Sequence, residues 1–344
     1  MARLLFAAHD PGGALILSAL QPEAQRRGYD VVFTGAGPAV SLWRERGLDV
    51  TEARDGEMPG IGFPPQPVDA LVTGTGFSEF ERGSWGWARE RRIPSLGIVD
   101  SWTNFDLRFG APDGRIFPDA VGVIDENART QISGLNDFEA PVMVVGQPYL
   151  QIQTQVLERA RAEREAPNKR RLVVFFSEPI REDYGEGRGF DQFSVFHQLV
   201  KSLPSKSNAD VLIKPHPREE TVGWRQALIG YEEQCQLTNE PTPALTANAD
   251  GIIGMTTMVL LEAHLAGIPT LSLQPNRTDK INPVIDEFSE VITNADDFGM
   301  ALERFWQQLG SRTPVLSRFQ NILADSDRRL VSAIEQIVNK SPDS

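Results

Sequence analysis

Short apolar runs alternate with amphipathic segments through the first half of the chain. The apolar runs have the length and the flanking glycines of buried parallel strands, and the segments between them have helical spacing. This pattern predicts strands at residues 4–8, 30–35, 70–73, 95–99, 120–124 and 141–145, with a weaker strand near 48–51. A loop rich in glycine and proline is predicted at 55–67. Strands that alternate with helices predict a parallel sheet covered on both faces.

The same alternation begins again in the second half of the chain. Gly146-Gln147-Pro148 interrupts the first series, and a charged helix at 153–165 leads to a joint at 166–168. The second series predicts strands at 172–176, 210–214, 251–253 and 270–273, and a long amphipathic helix at 321–338. We therefore expect an α/β protein with two Rossmann-like, doubly wound parallel-sheet domains that face a cleft. The expected domains are 1–148 and 149–322, with a last helix in 323–344 that packs back on the first domain.

The composition narrows the class of function. The 344 residues carry a net charge of −13, which argues against nucleic-acid binding because phosphate contacts along a strand need a basic face. The single cysteine, Cys235, excludes an intrachain disulfide and a cysteine-based metal cluster, and fits a reducing cytoplasm. No apolar run approaches the roughly 20 residues of a spanning helix, so we expect a cytoplasmic protein that is at most peripheral to a membrane. We find no Walker motif, no convincing metal site and no sign of a bound cofactor.

Polar residues follow the first predicted strand directly. His9 and Asp10 end it, and Gly12 and Gly13 open the next helix. A histidine at a strand end can act as a general base near neutral pH, and paired glycines let a ligand approach the backbone and the helix start. Asp10 can orient His9 or act as the base itself. The structural alternative is that Asp10 caps the helix and His9 bonds a backbone carbonyl.

A second polar group follows the strand at 95–99. Asp100 ends that strand, and Arg108 lies in the irregular aromatic segment after it. Asp100 is another candidate base, and Arg108 is a candidate anchor for an anionic group. The aromatic side chains of this segment can stack on a sugar, but burial of the long loop explains them equally well.

Two loops in the second half of the chain carry further candidates. Ser177-Glu178-Pro179 ends the strand at 172–176, where a hydroxyl and loop amides can contact a diphosphate. Lys214-Pro215-His216-Pro217 follows the strand at 210–214, and its prolines fix the backbone around His216. That loop suits a histidine held against a phosphate, ribose or base, with Lys214 as a nearby point charge. An ordinary turn with surface side chains is the alternative for both loops.

The stretch 250–274 has the pattern strand, tight turn, helix, turn, strand. Gly254 and Met255 follow the apolar run, and Thr256 and Thr257 stand where a helix N-cap is expected. Backbone N–H groups and hydroxyls past the carboxyl end of a strand favour anion binding. Glu262 lies on the same helix, within reach of a ribose diol if a phosphate occupies its start. A plain βαβ unit with a threonine cap is the alternative.

Four motifs of this chain together resemble the GT-B superfamily of nucleotide-sugar glycosyltransferases. They are the Gly-Gly loop, Ser177-Glu178-Pro179, Lys214-Pro215-His216-Pro217 and the Gly254-Met255-Thr256-Thr257 turn with Glu262-Ala263. The second half is similar to bacterial capsule transferases and CDP-glycerol-type polymerases, which share a Lys-x-His-Pro loop and a small-hydroxyl helix start followed by Glu-Ala. The resemblance covers both halves in architecture, with its motifs concentrated in 172–275. The Asp/Glu-Asp/Glu-Gly base motif of sialyltransferase-like members has only a near match at Glu182-Asp183-Tyr184-Gly185.

The resemblance implies a glycosyltransferase that moves a sugar from a nucleotide-sugar donor to a glycan, lipid-linked or other hydroxyl acceptor in bacterial surface glycan synthesis. It implies a donor nucleotide in the second domain, held by Ser177, Glu178, Lys214, His216, Pro217, Gly254, Met255, Thr256, Thr257 and Glu262. It implies an acceptor against the first domain, near Gly12, Gly13 and Arg108, with His9, Asp10 or Asp100 as the base and no metal. Two alternatives remain: an enzyme similar to UDP-N-acetylglucosamine 2-epimerase, although the Thr-Gly-Gln-His segment of that family is missing, and a non-catalytic nucleotide-sugar-binding module.

Overall fold

The computed structural model describes residues 2–53, 67–110, 114–164, 170–203, 208–280 and 282–339. The predicted joint at 166–168 and nearly all of the predicted loop at 55–67 lie outside these ranges. The chain divides into two compact units. The first unit consists of residues 1–152 and 321–344, and the second consists of residues 153–320.

Each unit is built on one parallel sheet. The strands of the first unit are β1 Arg3–Ala8, β2 Asp30–Gly35, β3 Val50–Glu52, β4 Ala70–Thr73, β5 Ser95–Ile98, β6 Ala120–Val123 and β7 Val142–Val144. Those of the second unit are β8 Arg171–Phe176, β9 Ala209–Lys214, β10 Cys235–Leu237, β11 Gly251–Gly254, β12 Thr270–Leu273 and β13 Glu290–Ile292. Within each sheet, the neighbouring strands pair in parallel.

Helices connect the strands. In chain order they are α1 Pro11–Arg26, α2 Pro38–Glu45, α3 Glu79–Glu90, α4 Glu126–Ser133, α5 Pro148–Ala162, α6 Ile180–Tyr184, α7 Gln192–Lys201, α8 Thr221–Ala227, α9 Thr242–Asn248, α10 Val259–Leu265, α11 Ile285–Phe288, α12 Phe298–Gln308, α13 Ser317–Leu323 and α14 Ser326–Asn339. Short 3₁₀ turns lie at Leu107–Phe109 and Ala295–Asp297.

The strand order places a switch point in each sheet. The first sheet has the order β3-β2-β1-β4-β5-β6-β7 and the second has the order β10-β9-β8-β11-β12-β13. The direction of winding therefore reverses between β1 and β4 in one unit and between β8 and β11 in the other. Ligands of open α/β sheets bind past the carboxyl ends of the strands at such points. The expected α/β class with two doubly wound parallel sheets is confirmed.

Apolar side chains of the strands and covering helices fill the core of each unit. In the first unit Phe6 and Ile16 are fully buried, and Leu330 of α14 joins the same cluster. In the second unit the core is centred on aromatic side chains, with Phe175 on β8 packed against Trp224 on α8 at a centroid distance of 6.2 Å. These cores fix the strand ends that carry the polar loops.

Several elements differ from the sequence-based expectation. The pattern did not predict β10, β13 or α9, which are short. The pattern also did not predict the short helix α6, which follows Pro179. The single helix expected at 321–338 is two helices, because the chain breaks at Asp325, whose φ of 48° is left-handed.

Candidate functional site

His9 and Asp10 form a hydrogen-bonded pair in the loop after β1. His9 Nδ1 lies 2.7 Å from Asp10 Oδ1, and Asp10 Oδ2 accepts the Phe77 N–H at 3.0 Å. A carboxylate can only accept, so the pair places the His9 proton on Nδ1 and leaves Nε2 as the basic nitrogen of the neutral ring. The His9 side chain is 19% exposed. Asp10 is also the N-cap position of α1, but its side chain makes no cap bond, so it orients His9 instead of capping the helix.

Glycines make room for this pair. A Cβ on Gly76 would collide with Asp10 Oδ2, and one on Gly37, whose φ is 53°, would collide with His9 Nε2. Each of them is the second glycine of a Gly-x-Gly pattern, in Gly35-Ala36-Gly37 at the end of β2 and in Gly74-Thr75-Gly76 after β4.

Arg108 holds Asp100 from inside the first unit. Arg108 is 4% exposed, and its Nη1 donates to Asp100 Oδ1 at 2.6 Å and to the Thr75 carbonyl and hydroxyl, both at 3.2 Å. Its Nε and Nη2 donate to Thr103 O and Ser101 Oγ. Because these donors are already engaged, the geometry favours a positioning role for Arg108. The expected contact with an anionic ligand stays a prediction.

Gly12 and Gly13 serve the packing of the chain itself. A Cβ on Gly12 would collide with Asp100 Oδ2, and one on Gly13 would lie 2.9 Å from Gly74 Cα. The two glycines lie in the first turn of α1, as expected, and let the ends of β4 and β5 approach that helix. The expected approach of a ligand to them stays a prediction.

Glu81 is a buried acid that the sequence analysis did not identify as a site residue. It lies in the first turn of α3, in a pattern typical of a capping box with Ser78. The Ser78 side chain does accept from the Phe80 N–H, but Glu81 turns inward and its Oε1 accepts the His9 N–H at 2.9 Å. Burial is the main cause that raises the pKa of Glu81 to about 7.

In the second unit, Glu178 binds the loop after β11. Glu178 Oε2 accepts the Thr256 N–H and Oε1 accepts the Thr256 hydroxyl, both at 2.6 Å. Burial raises the pKa of Glu178, and the negative charge of Glu219 adds to the effect, whereas the bonds from Thr256 and Thr257 oppose it. The donors expected to bind phosphate are thus engaged by a carboxylate of the same chain.

The expected N-cap at Thr256 or Thr257 is wrong. Helix α10 begins at Val259, with Met258 in the N-cap position. Thr257 Oγ1 instead accepts the Val259 N–H at 3.2 Å, and Thr256 faces Glu178. The helix begins later than expected because a two-residue bend follows β11. Two adjacent threonines in the sequence do not indicate such a bend.

The Gly254-Met255 peptide and Glu262 flank this bend. A Cβ on Gly254 would lie 2.9 Å from Thr257 Cγ2, so a glycine is needed for the bend. The buried Met255 carbonyl accepts from Ser272 Oγ at 2.6 Å and Gln274 Nε2 at 3.0 Å, which ties the bend to β12. Glu262 is half-buried on α10, and burial raises its pKa to about 7.

His216 is held as a neutral hydrogen-bond donor. The Arg218 N–H donates to His216 Nδ1 at 3.2 Å, so the proton of the neutral ring lies on Nε2. Burial, and then the charge of Arg218, lowers the pKa of His216. Lys214, half-buried, is the last residue of β9, and Pro217 is exposed in the turn after His216.

Glu219 connects the two loops of the second unit, although the sequence analysis did not identify it. Its Oε1 accepts from Ser177 Oγ at 2.8 Å and from Trp224 Nε1 at 3.1 Å, and its Oε2 accepts the His216 N–H at 2.6 Å. The register pairs Phe176 with Lys214, which brings Ser177 beside the loop that carries His216. The two loops predicted to share a ligand therefore share a carboxylate.

Comparison with known proteins places the fold. No family model and no curated protein matches this chain. Among solved structures, the UDP-GlcNAc 2-epimerase from Methanocaldococcus jannaschii is similar over 97% of this chain and 99% of its own, with a TM-score of 0.72 and 14% identity. UDP-GlcNAc 2-epimerase from Neisseria meningitidis, bound to UDP-GlcNAc, is similar over 97% of this chain and 100% of its own, with a TM-score of 0.69 and 12% identity. The glycotransferase of kitacinnamycin is similar over 97% of this chain and 98% of its own, with a TM-score of 0.61 and 13% identity.

The fold is that of the GT-B enzymes. Identities this low establish the fold alone. Among the described residues, no helix is long and apolar enough to cross a membrane. No group of three or more His, Cys, Asp or Glu side chains within the same ranges is arranged to hold a metal ion.

Proposed function

We propose that the protein is a metal-independent glycosyltransferase that moves a sugar from a nucleotide-activated donor to a hydroxyl acceptor in bacterial surface glycan synthesis. The acceptor would be a glycan, a lipid-linked sugar or a related hydroxyl compound. The His9–Asp10 pair carries this proposal, because a histidine with its Nδ1 proton held by a carboxylate is suited to remove a proton from a hydroxyl. The GT-B fold supports a nucleotide-sugar ligand.

In this reaction the acceptor oxygen forms a bond to the anomeric carbon of the sugar while the bond from that carbon to the phosphate oxygen breaks. His9 Nε2 takes the acceptor proton, and Asp10 stabilises the imidazolium that forms. The leaving nucleotide keeps the bonding electrons of the broken bond. Asp100 is less suited to be the base, because its Oδ1 already accepts from Arg108.

The nucleotide would lie at the carboxyl edge of the second sheet. His216 Nε2–H and Lys214 would contact its phosphates, and Glu262 would accept hydrogen bonds from the ribose diol. Thr256 would contribute its N–H and hydroxyl once Glu178 releases them. Ser177, which donates to Glu219, would contribute by fixing the loop.

Nucleotide binding and sugar transfer can be tested separately. A thermal-shift screen with UDP, CDP, CMP, GDP and TDP would identify the nucleotide, and turnover of the matching sugar nucleotide would then be measured with a panel of hydroxyl acceptors.

We expect His9→Ala to lower turnover by about 10²- to 10⁴-fold with little change in nucleotide affinity. His216→Ala should instead weaken nucleotide binding. His197→Ala, in α7, is the control; full turnover in His9→Ala would remove His9 as the base.

A second candidate function is epimerisation of a sugar nucleotide. It is favoured by the TM-scores of the two 2-epimerase structures, 0.72 and 0.69, against 0.61 for the glycotransferase. Incubation with UDP-GlcNAc and no acceptor separates the two functions. An isomeric UDP-sugar would identify an epimerase, whereas a product that needs an acceptor would identify a transferase. Binding without turnover in either assay would favour a non-catalytic binding module.

A further inference from the structure

Glu81 is buried beneath the His9–Asp10 pair. The residue is 1% exposed, and its Oε1 accepts the His9 N–H at 2.9 Å. Its Oε2 is also buried and has no hydrogen-bond partner among the residues that the structure describes. Burying a carboxyl group with one unsatisfied oxygen costs free energy, so the presence of Glu81 beside His9 needs a physical reason.

Among the residues that the structure describes, one group near Glu81 can compensate its charge. The loop after β1 contributes His9 and Asp10, whose charges respectively lower and raise the pKa of Glu81. The end of β4 contributes Gly74, where a Cβ would lie 3.7 Å from Glu81 Oε1, and α1 contributes Gly13 beside Gly74. On α3 itself, Arg82 is bonded to Glu79 and to the Phe77 carbonyl. Among these described neighbours, the imidazolium form of His9 is therefore the cation that acts on Glu81.

We propose that Glu81 is a positioning residue of the His9–Asp10 pair, which holds the His9 backbone and sets the proton affinity of its imidazole. An ionised Glu81 favours the imidazolium of His9, and a protonated Glu81 favours the neutral ring. Because burial raises the pKa of Glu81 to about 7, the change between its protonated and ionised forms takes place near neutral pH. The inference rests on the proposed function in assigning His9 as the base, but its test does not need turnover.

The two charges are coupled in a way that NMR can follow. The chain has only four histidines, so the Cε1–H signal of each can be assigned with single variants. We expect the His9 signal of the wild-type protein to show two inflections between about pH 5 and pH 9, one from its own ring and one from Glu81. Glu81→Gln keeps an acceptor for the His9 N–H but removes the charge, so the second inflection should disappear and the His9 pKa should fall by about one pH unit.

Glu90→Gln is the matched control, because Glu90 lies on the same helix with a side chain 78% exposed. It should leave the His9 titration unchanged. If Glu81→Gln does not fold, the carboxyl carbon of Glu81 can be followed in wild-type protein labelled at that atom. Titration of Glu81 near the ordinary value of about 4.3, with a single inflection for His9, would overturn the proposal. A coupled titration in a protein that transfers no sugar would retain this inference and remove the proposed function.

Discussion

The Thr256 N–H and the Thr256 hydroxyl both donate to the carboxylate of Glu178, each at 2.6 Å. Two donors that hold a carboxylate in this way can equally hold two oxygens of a phosphate. Glu178 therefore competes with the phosphate of the proposed nucleotide ligand for the same donors. A raised pKa makes it easier for Glu178 to leave them as a neutral acid.

We predict that nucleotide-sugar affinity falls as pH rises, because displacement of Glu178 is accompanied by uptake of a proton. If one proton is taken up, the dissociation constant rises by about tenfold per pH unit above the pKa of the free Glu178. Glu178→Gln cannot ionise and should bind more tightly at pH 8, with a flatter dependence. Isothermal titration of UDP-GlcNAc in buffers of different ionisation enthalpy measures both affinity and proton uptake. An identical pH dependence in the two proteins would show that Glu178 keeps its contacts when the ligand binds.

Glu219 should contribute strongly to the stability of the second unit. Three donors, from Ser177, His216 and Trp224, converge on its buried carboxylate. Glu219→Ala leaves them without their acceptor and should lower the free energy of unfolding by about 3 kcal/mol. Urea unfolding measures the change, with Glu220→Ala, at the exposed neighbouring position, as the control. A loss below about 0.5 kcal/mol would mean that the loops do not depend on Glu219.

Arg108→Lys should loosen Asp100 without abolishing the charge at that position. The guanidinium donates to Asp100, Thr75, Thr103 and Ser101, and an ammonium group cannot satisfy this set with its three N–H groups. We expect a loss of about 1–2 kcal/mol in the free energy of unfolding. Arg129→Lys, on the exposed face of α4, is the control. Equal stability of the two variants would contradict the positioning role.

The sequence predicts the central strands well because they are buried on both faces. Strands β1, β4, β8 and β11 lie within continuous apolar runs, and these are the strands that border the two switch points. Strands β10 and β13 lie at the edges of their sheet, have three residues each and bury only one of them, so no apolar run marks them.

The candidate site was predicted less completely, because tertiary contacts decide which polar groups turn inward. His9, Asp10 and Ser177 were predicted as site residues from their position after a strand, and the structure places each of them there. Glu81 and Glu219 lie in a helix start and a turn, where acids are usually solvated, and only the fold brings them to His9 and His216. Thr256 was assigned to a helix cap on local grounds, but its partner Glu178 lies on another strand end.

His264 should make the protein less stable in mild acid. It is 2% exposed on α10, stacks on Phe288 at a centroid distance of 4.9 Å, and neither ring nitrogen has a hydrogen-bond partner within the described ranges. Burial lowers its pKa from 6.5 to about 4. Between these values the unfolded chain binds a proton that the folded protein does not, so the stability falls as pH falls, by about 3 kcal/mol from this residue. Urea unfolding at about pH 7 and pH 4.5 measures the difference. In His264→Phe most of this difference in stability should disappear, whereas the control His197→Gln should keep it. An equal pH dependence of stability in His264→Phe and the wild-type protein would show that His264 is protonated in the folded state.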